Sequence, residues 1–288
     1  MECGGRNPST RRIIDDRLMS VELGDHSAAF YRPEYKEHQF QLDVVPVCTV
    51  GPVGRKFLMG GVNTAAAVEA AEQYCGRPLL TISSQFLSFA ALGDRVSIGV
   101  DKLSEGRSVT QANIVNRVGD REILRASAAL GVRDVSEDTQ FFQAPDVAHP
   151  EDCDPAPADN LDTSDLGSIT EKRVCVEDSD AGVGITWIKI SDDAPVTAAK
   201  IALVADYLAG AIPRTRGASS LDNHLRVISR HETEWFLCQT RMAAFTRGFL
   251  HGETRLFSED GRLLALASQS AALPNEGGEW AQSQAKFR

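Results

Sequence analysis

The chain has 288 residues, 42% of them hydrophobic and 24% charged, which is enough apolar material for a sizeable core in one large or two ordinary domains. Its formal net charge of -10 argues against a general nucleic-acid binder, because phosphate binding depends on a basic field; an anionic ligand would need local basic contacts. No segment reaches the ~20 consecutive apolar residues of a membrane-spanning helix.

Six cysteines, Cys3, Cys48, Cys75, Cys153, Cys175 and Cys238, are scattered with no C-x-x-C pair and no histidine cluster beside them. They read as reduced thiols without a structural metal. The amino terminus, MECGGRNPSTRRIIDD, lacks the apolar core of a secretory signal. The expectation is a soluble, cytoplasmic protein without membrane or nucleic-acid partners.

In chain order, the first helical signal is GGVNTAAAVEAAEQYCG, Gly60 to Gly76, with Val62, Ala66, Ala67 and Ala70 at helical spacing and a stop at Gly76 and Pro78. DRVSIGVDKL then alternates Val96, Ile98 and Val100 with Ser97, Gly99 and Asp101, the period of a half-buried strand. SVTQANIVNRV and REILRASAALGV flank Gly119-Asp120 and predict a long antiparallel hairpin. Between Val135 and Asp165 prolines and acids abound while lysine and arginine are absent, the composition of a linker that cannot bury enough surface to fold alone. Beyond it, APVTAAKIALVADYLAGAIP, Ala194 to Pro213, predicts a second helix with Ile201, Val204, Ala205 and Leu208 on one stripe. LDNHLRVI, EWFLCQTRMAAF, TRGFLHGETRLF and RLLALASQSAAL follow as strands, the last two joined by the turn Ser258-Glu259-Asp260-Gly261.

Each half therefore follows one plan, a helix and then antiparallel strands, and GDREILRASAALGV resembles EDGRLLALASQSAAL by eye. The reading is a tandem duplication: a first repeat over 1–135, an acidic, proline-rich linker over 136–167, and a second repeat over 168–288. The fold class is α+β, with two helix-wrapped antiparallel sheets joined edge to edge into one continuous sheet, an arrangement that closes open edges.

Catalytic signatures are sparse. G-x-S-x-G and G-x-x-x-x-G-K-[ST] are missing, and His224 and His231, seven residues apart, match no metal-ligand spacing. What stands out is an asymmetry between the copies. Gln269 lies in the otherwise aliphatic or small run LLALASQSAAL, where the first repeat has Ala128 or Ala129, and SSLDNHL adds Asp222 to a segment that parallels SSQFL. A buried amide without partners costs roughly 1–3 kcal/mol, so such a glutamine is paired, exposed or holding something. Two readings stand: Asp222 caps a turn while Gln269 pairs with backbone, or both converge on a polar pocket between the repeats.

Over roughly Phe57 to Leu273 the sequence resembles the acyl-CoA thioesterase II family, the double hotdog thioesterases. The resemblance rests on FLMGG (Phe57 to Gly61), QFLSF, EGRSV (Glu105 to Val109), SSLDNHL, EWFL, TRGFLHGE and EDGRLLALASQ, in that order. It implies hydrolysis of an acyl-CoA thioester without a covalent intermediate or a cofactor, using an aspartate, a serine or threonine, and a glutamine to hold the attacking water. On the family's pattern Asp222 and Gln269 supply the acid and the amide. Met242 and Ala243 stand where the hydroxyl is expected, so Thr240, two residues earlier and on the same strand face, is the substitute candidate. Gly60 and Gly61 would offer backbone N–H groups at a helix start to the thioester carbonyl. Arg107 and Arg247 are candidates for coenzyme A phosphate contacts or for structural pairing. The alternatives are a hotdog enoyl-CoA hydratase or dehydratase, in which Asp222 and His224 would pair, and a non-catalytic acyl-CoA or lipid-binding module. Edge logic and the resemblance together imply a homo-oligomer.

Overall fold

The alanine-rich stretch forms α1, Gly60–Cys75, which starts from extended Met59 and ends where Gly76 turns left-handed at φ 63 and donates its N–H to the Glu72 carbonyl. Only glycine adopts that conformation without penalty, so the predicted stop is the observed one. Nearly all of α1 is buried, since it lies between the sheet on one side and a second helix on the other. That second helix, α2, is Ala198–Ala205, capped by Thr197, whose hydroxyl accepts the Lys200 N–H. It is shorter than the predicted Ala194 to Pro213. Thr197 itself is extended, the residues from Ala194 to Val196 are not helical, and after Ala205 the backbone tightens into a 3-10 turn over Asp206–Gly210.

The computed structural model describes residues 29–36, 39–52, 54–134, 138–156 and 164–273. The amino-terminal segment with Cys3 and parts of the acidic stretch lie outside the described residues. The first half supplies β1 (Glu34–Lys36) and β2 (Gln39–Asp43), a small ribbon of β3 (Thr49–Val50) with β4 (Phe57–Leu58), then β5 (Leu79–Phe86), β6 (Arg95–Glu105), β7 (Val109–Val118) and β8 (Arg121–Gly131). The second half supplies β9 (Asp154–Pro155), β10 (Thr170–Asp178), β11 (Val183–Ile190), β12 (Ser219–Ser220), β13 (Asp222–Val227), β14 (Phe236–Thr246), β15 (Phe249–Phe257) and β16 (Leu263–Ala272).

Apart from the β3–β4 ribbon these strands make one antiparallel sheet in the order β1-β2-β6-β7-β8-β5-β13-β16-β15-β14-β11-β10-β9, with β12 also paired to β16. The halves meet where β5 pairs with β13, from Asp222 opposite Gln85 to Arg226 opposite Thr81. The expected edge-to-edge junction is thus a ladder of backbone hydrogen bonds. The two predicted turns are present: β7 and β8 turn at Gly119 (φ 57), and β15 and β16 at Gly261 (φ 84), whose N–H donates to the Ser258 carbonyl at 3.0 Å; a further hairpin joins β14 and β15 at Arg247 (φ 54) and Gly248 (φ 81).

The acidic stretch does not hang free where it is described. The Gln140 amide bonds both the N–H (2.9 Å) and the carbonyl (3.3 Å) of Leu263, the Trp187 indole donates to the Ala148 carbonyl at 3.0 Å, and β9 pairs with β10. A composition that predicts no independent folding is thus compatible with a described portion that packs on the second half. Among the described residues no helix is long and apolar enough to cross a membrane.

Candidate active site

The junction of the halves gathers its polar groups around Asp206, the first residue after α2. The change from α-helical to 3-10 pitch carries its side chain to the start of α1. There is room because Gly60 and Gly61 have no side chains: a Cβ on Gly60 would lie 2.8 Å from Asp206 Oδ2, and one on Gly61 would lie 2.7 Å from the Leu203 carbonyl and 2.9 Å from Asp206 Cβ. Close approach of α2 to α1 therefore requires glycine at both positions. Burial raises the Asp206 carboxyl to about 6, against the opposing pull of the Gln269 amide, the Gly61 N–H and the Asn223 amide, all of which donate to it.

Gln269, on β16, answers its question by pairing with side chains. Its Nε2 donates to Asp206 Oδ1 at 2.6 Å and to Ser220 Oγ at 2.9 Å. A carboxylate only accepts, so the NH2 end must face Asp206. With both N–H groups committed, Oε1 is buried and has no hydrogen-bond partner among the described residues. Asn223 completes the set, its Nδ2 lying 3.5 Å from Asp206 Oδ1. The array is a carboxylate made more basic by burial, an oriented amide with an open acceptor, and a half-buried hydroxyl whose own hydrogen is not used by Gln269.

The structure therefore brings together Gln269, Asp206 and Ser220, and leaves Asp222 and Thr240 apart from them. Asn223 points at Asp206, so Asp222 and His224 on either side project to the opposite face of the sheet. There they line a depression of about 450 Å³ with His251 and Glu253. The Asp222 carboxylate accepts the Ser270 N–H at 2.7 Å, holding a backbone group where the strand pairing slips between Ser220 and His224. Asp222 thus caps the backbone and shares that outer face with His224, away from Asp206 and the start of α1. Thr240 is buried on the helix side of β14 but lies two strands from Gln269, roughly 10 Å away. Its hydroxyl donates to Thr254 Oγ1 at 3.0 Å. Ser220, two residues before Asp222, stands beside Gln269 because β12 pairs with β16 at Ala271 and Ala272.

Of the binding candidates, Gly61 directs its N–H to Asp206 and so holds the carboxylate in place of a substrate carbonyl. Arg107 sits in the β6–β7 turn, its carbonyl receiving Arg77 at 3.4 Å beside the carboxyl end of α1. For a 16-residue helix that end is about 24 Å from Gly60, so Arg107 lies at the far end of α1 from Asp206. Arg247 occupies the β14–β15 turn, at the same end of the sheet as Ser219 and Ser220. Asp206 escaped the sequence reading although its signal matched that of Gln269: a single carboxylate in the apolar run IALVADYLAG.

Two helix-wrapped antiparallel halves sharing one sheet, with this array at their junction, define a tandem hotdog protein. Comparison with known proteins takes the identification further. The acyl-CoA thioesterase N-terminal domain profile matches residues 50–131, and the C-terminal domain profile matches residues 150–273. A candidate thioesterase from Novosphingobium aromaticivorans is 31% identical, with a TM-score of 0.79 over 84% of this chain and 98% of that one. The acyl-CoA thioesterase II TesB2 of Mycobacterium marinum shares the fold at 14% identity, with a TM-score of 0.70 over 86% of this chain and 98% of that one. The tesB protein of Mycobacterium avium subs. paratuberculosis does so at 18% identity, with a TM-score of 0.67 over 82% of this chain and 93% of that one. No curated protein matches the sequence significantly. The chain belongs to the acyl-CoA thioesterase family and is a thioester hydrolase.

Proposed function

We propose that this protein hydrolyses an acyl-CoA to the free acid and coenzyme A with a water held by Asp206 and Gln269 beside the Ser220 hydroxyl. The observation that carries the reading is the bridge made by Gln269 Nε2 between Asp206 Oδ1 and Ser220 Oγ, 2.6 and 2.9 Å long. A carboxyl raised to about 6 is a stronger base than an ordinary aspartate and is still largely ionised at neutral pH. Water donating one hydrogen to Asp206 and the other to Gln269 Oε1 has its lone pair directed by two fixed acceptors. It adds to the thioester carbon, its proton passes to Asp206, and the negative charge moves to the carbonyl oxygen. The positive end of α1 and the Ser220 O–H are the groups available to stabilise that charge. Collapse of the tetrahedral intermediate expels the thiolate, which takes the proton from Asp206. Arg247, at the rim on the Ser220 side, is the nearer candidate for a coenzyme A phosphate.

The test is thiol release from a panel of acyl-CoAs, short to long and aromatic, by the wild type beside Asp206→Asn, Gln269→Ala and Ser220→Ala. Asp206→Asn is expected to lose roughly 10²- to 10⁴-fold in kcat/KM, the range of general-base removal. Gln269→Ala should lose about 10²-fold, as expected for a displaced nucleophile. Turnover within threefold of wild type in Asp206→Asn would overturn the assignment.

A further inference from the structure

Cys153 and Cys175 look unrelated in the sequence, 22 positions apart, but the docking of the acidic stretch sets them face to face. Strand β9 pairs with β10 through Val174 opposite Asp154 and Arg173 opposite Pro155, and the same register places Cys175 opposite Cys153. The Ala156 N–H donates to the Lys172 carbonyl at 3.0 Å. Antiparallel pairs alternate between bonded and non-bonded positions, so, counting from Ala156, the cysteines fall on a non-hydrogen-bonded position. There Cα atoms approach to about 4.5 Å and side chains are closest, inside the range of roughly 4.4–6.8 Å that a disulfide spans.

Two further features favour that pairing. Cys175 is the extra residue of a bulge in β10, since Val174 pairs with Thr186 and Val176 with Ile185, and a bulge re-aims the side chain it carries. The two Sγ atoms lie 2.8 Å apart, both thiols are free, and both are within reach of the Ala148 carbonyl, at 3.5 Å for Cys153 and 4.0 Å for Cys175. Cys153 is buried while Cys175 is half-exposed.

We propose that Cys153 and Cys175 are a reversible dithiol–disulfide pair that, when oxidised by a small disulfide such as oxidised glutathione, staples the acidic segment to strand β10. The Cys175 thiolate attacks glutathione disulfide, releasing one glutathione thiolate and leaving a mixed disulfide. Cys153, after losing its proton, displaces the second glutathione. Two S–H bonds are lost, one S–S bond forms, and glutathione disulfide is reduced to two glutathiones. Burial pushes the Cys175 thiol up to about 12, so its thiolate is scarce at neutral pH and the exchange is slow without a mildly alkaline medium. The contiguity of the sulfurs favours the second step once the first has occurred.

The experiment incubates folded wild-type protein with oxidised glutathione at pH 8.5, quenches with acid, alkylates in denaturant and maps the peptides by mass spectrometry. The expected product is a cross-linked Cys153–Cys175 peptide two hydrogens lighter than the reduced pair, absent from Cys153→Ser and Cys175→Ser, retained in Cys238→Ser, and reversed by dithiothreitol. The same treatment in urea should give at least tenfold less of it. Glutathione adducts at Cys175 without the cross-link, full alkylation of both cysteines, or equal cross-linking in urea would each overturn the proposal.

Discussion

Asp206→Asn separates the role of the buried carboxylate from the packing around it. The carboxyl midpoint stands at about 6 in the fold against an ordinary 3.8, so ionising Asp206 costs the folded state about 3 kcal/mol, at ~1.4 kcal/mol per tenfold change in the equilibrium. The sign follows from proton binding. Between pH 4 and 6 the unfolded chain has released this proton while the folded one retains it, so stability falls as pH rises through that window. Above about pH 7 the full penalty is in place. Asparagine does not ionise, and its Oδ1 can still accept from Gln269, Gly61 and Asn223. The difference in unfolding free energy, variant minus wild type, should therefore increase by about 2.5 kcal/mol between pH 4 and pH 7.5, the rest of the shift lying below pH 4, and other titrating groups cancel in the subtraction. Urea denaturation of both proteins at five pH values across this range measures it. Parallel stability curves, with a constant offset from pH 4 to 8, would refute the raised midpoint and with it the argument that Asp206 is a base tuned by burial.

The same midpoint predicts that kcat/KM of the wild type falls about tenfold per pH unit below pH 6 and levels above it, read from thiol release under non-saturating substrate. Gly61→Ala should destabilise by ~1–3 kcal/mol and lower kcat/KM as well, because its Cβ would press on the Leu203 carbonyl at 2.7 Å and on Asp206 Cβ at 2.9 Å; a melting curve and an activity assay on one preparation check both. Asp222→Ala frees the Ser270 N–H and should cost about 1 kcal/mol of stability, yet retain at least a third of wild-type kcat/KM. Thr240→Ala, whose hydroxyl serves Thr254, is expected to behave likewise, and a loss beyond tenfold in either variant would return those residues to the site.

Much of this protein was legible in its residues one segment at a time. The alanine period over Gly60 to Gly76, its glycine stop, the alternation in β6 and the turns at Gly119 and Gly261 each reflect a local preference that tertiary contacts reinforced. Gln269 announced itself because an amide in an apolar strand needs a partner. The identity of that partner was not local. Whether Asp222 or Asn223 faces the helices depends on the register of β13 against both β5 and β16, and a one-residue change exchanges the two faces. The hydroxyl beside Gln269 comes from Ser220 and not Thr240 because β12 pairs with β16, whereas β15 lies between β16 and β14. Asp206 reaches the site through the docking of α2 on α1 and the tightening of one turn, and Cys153 meets Cys175 only when the acidic stretch lies down on β10. Periodicity records the faces a segment offers to water and to the core; long-range strand pairing and helix docking decide which of those faces meet.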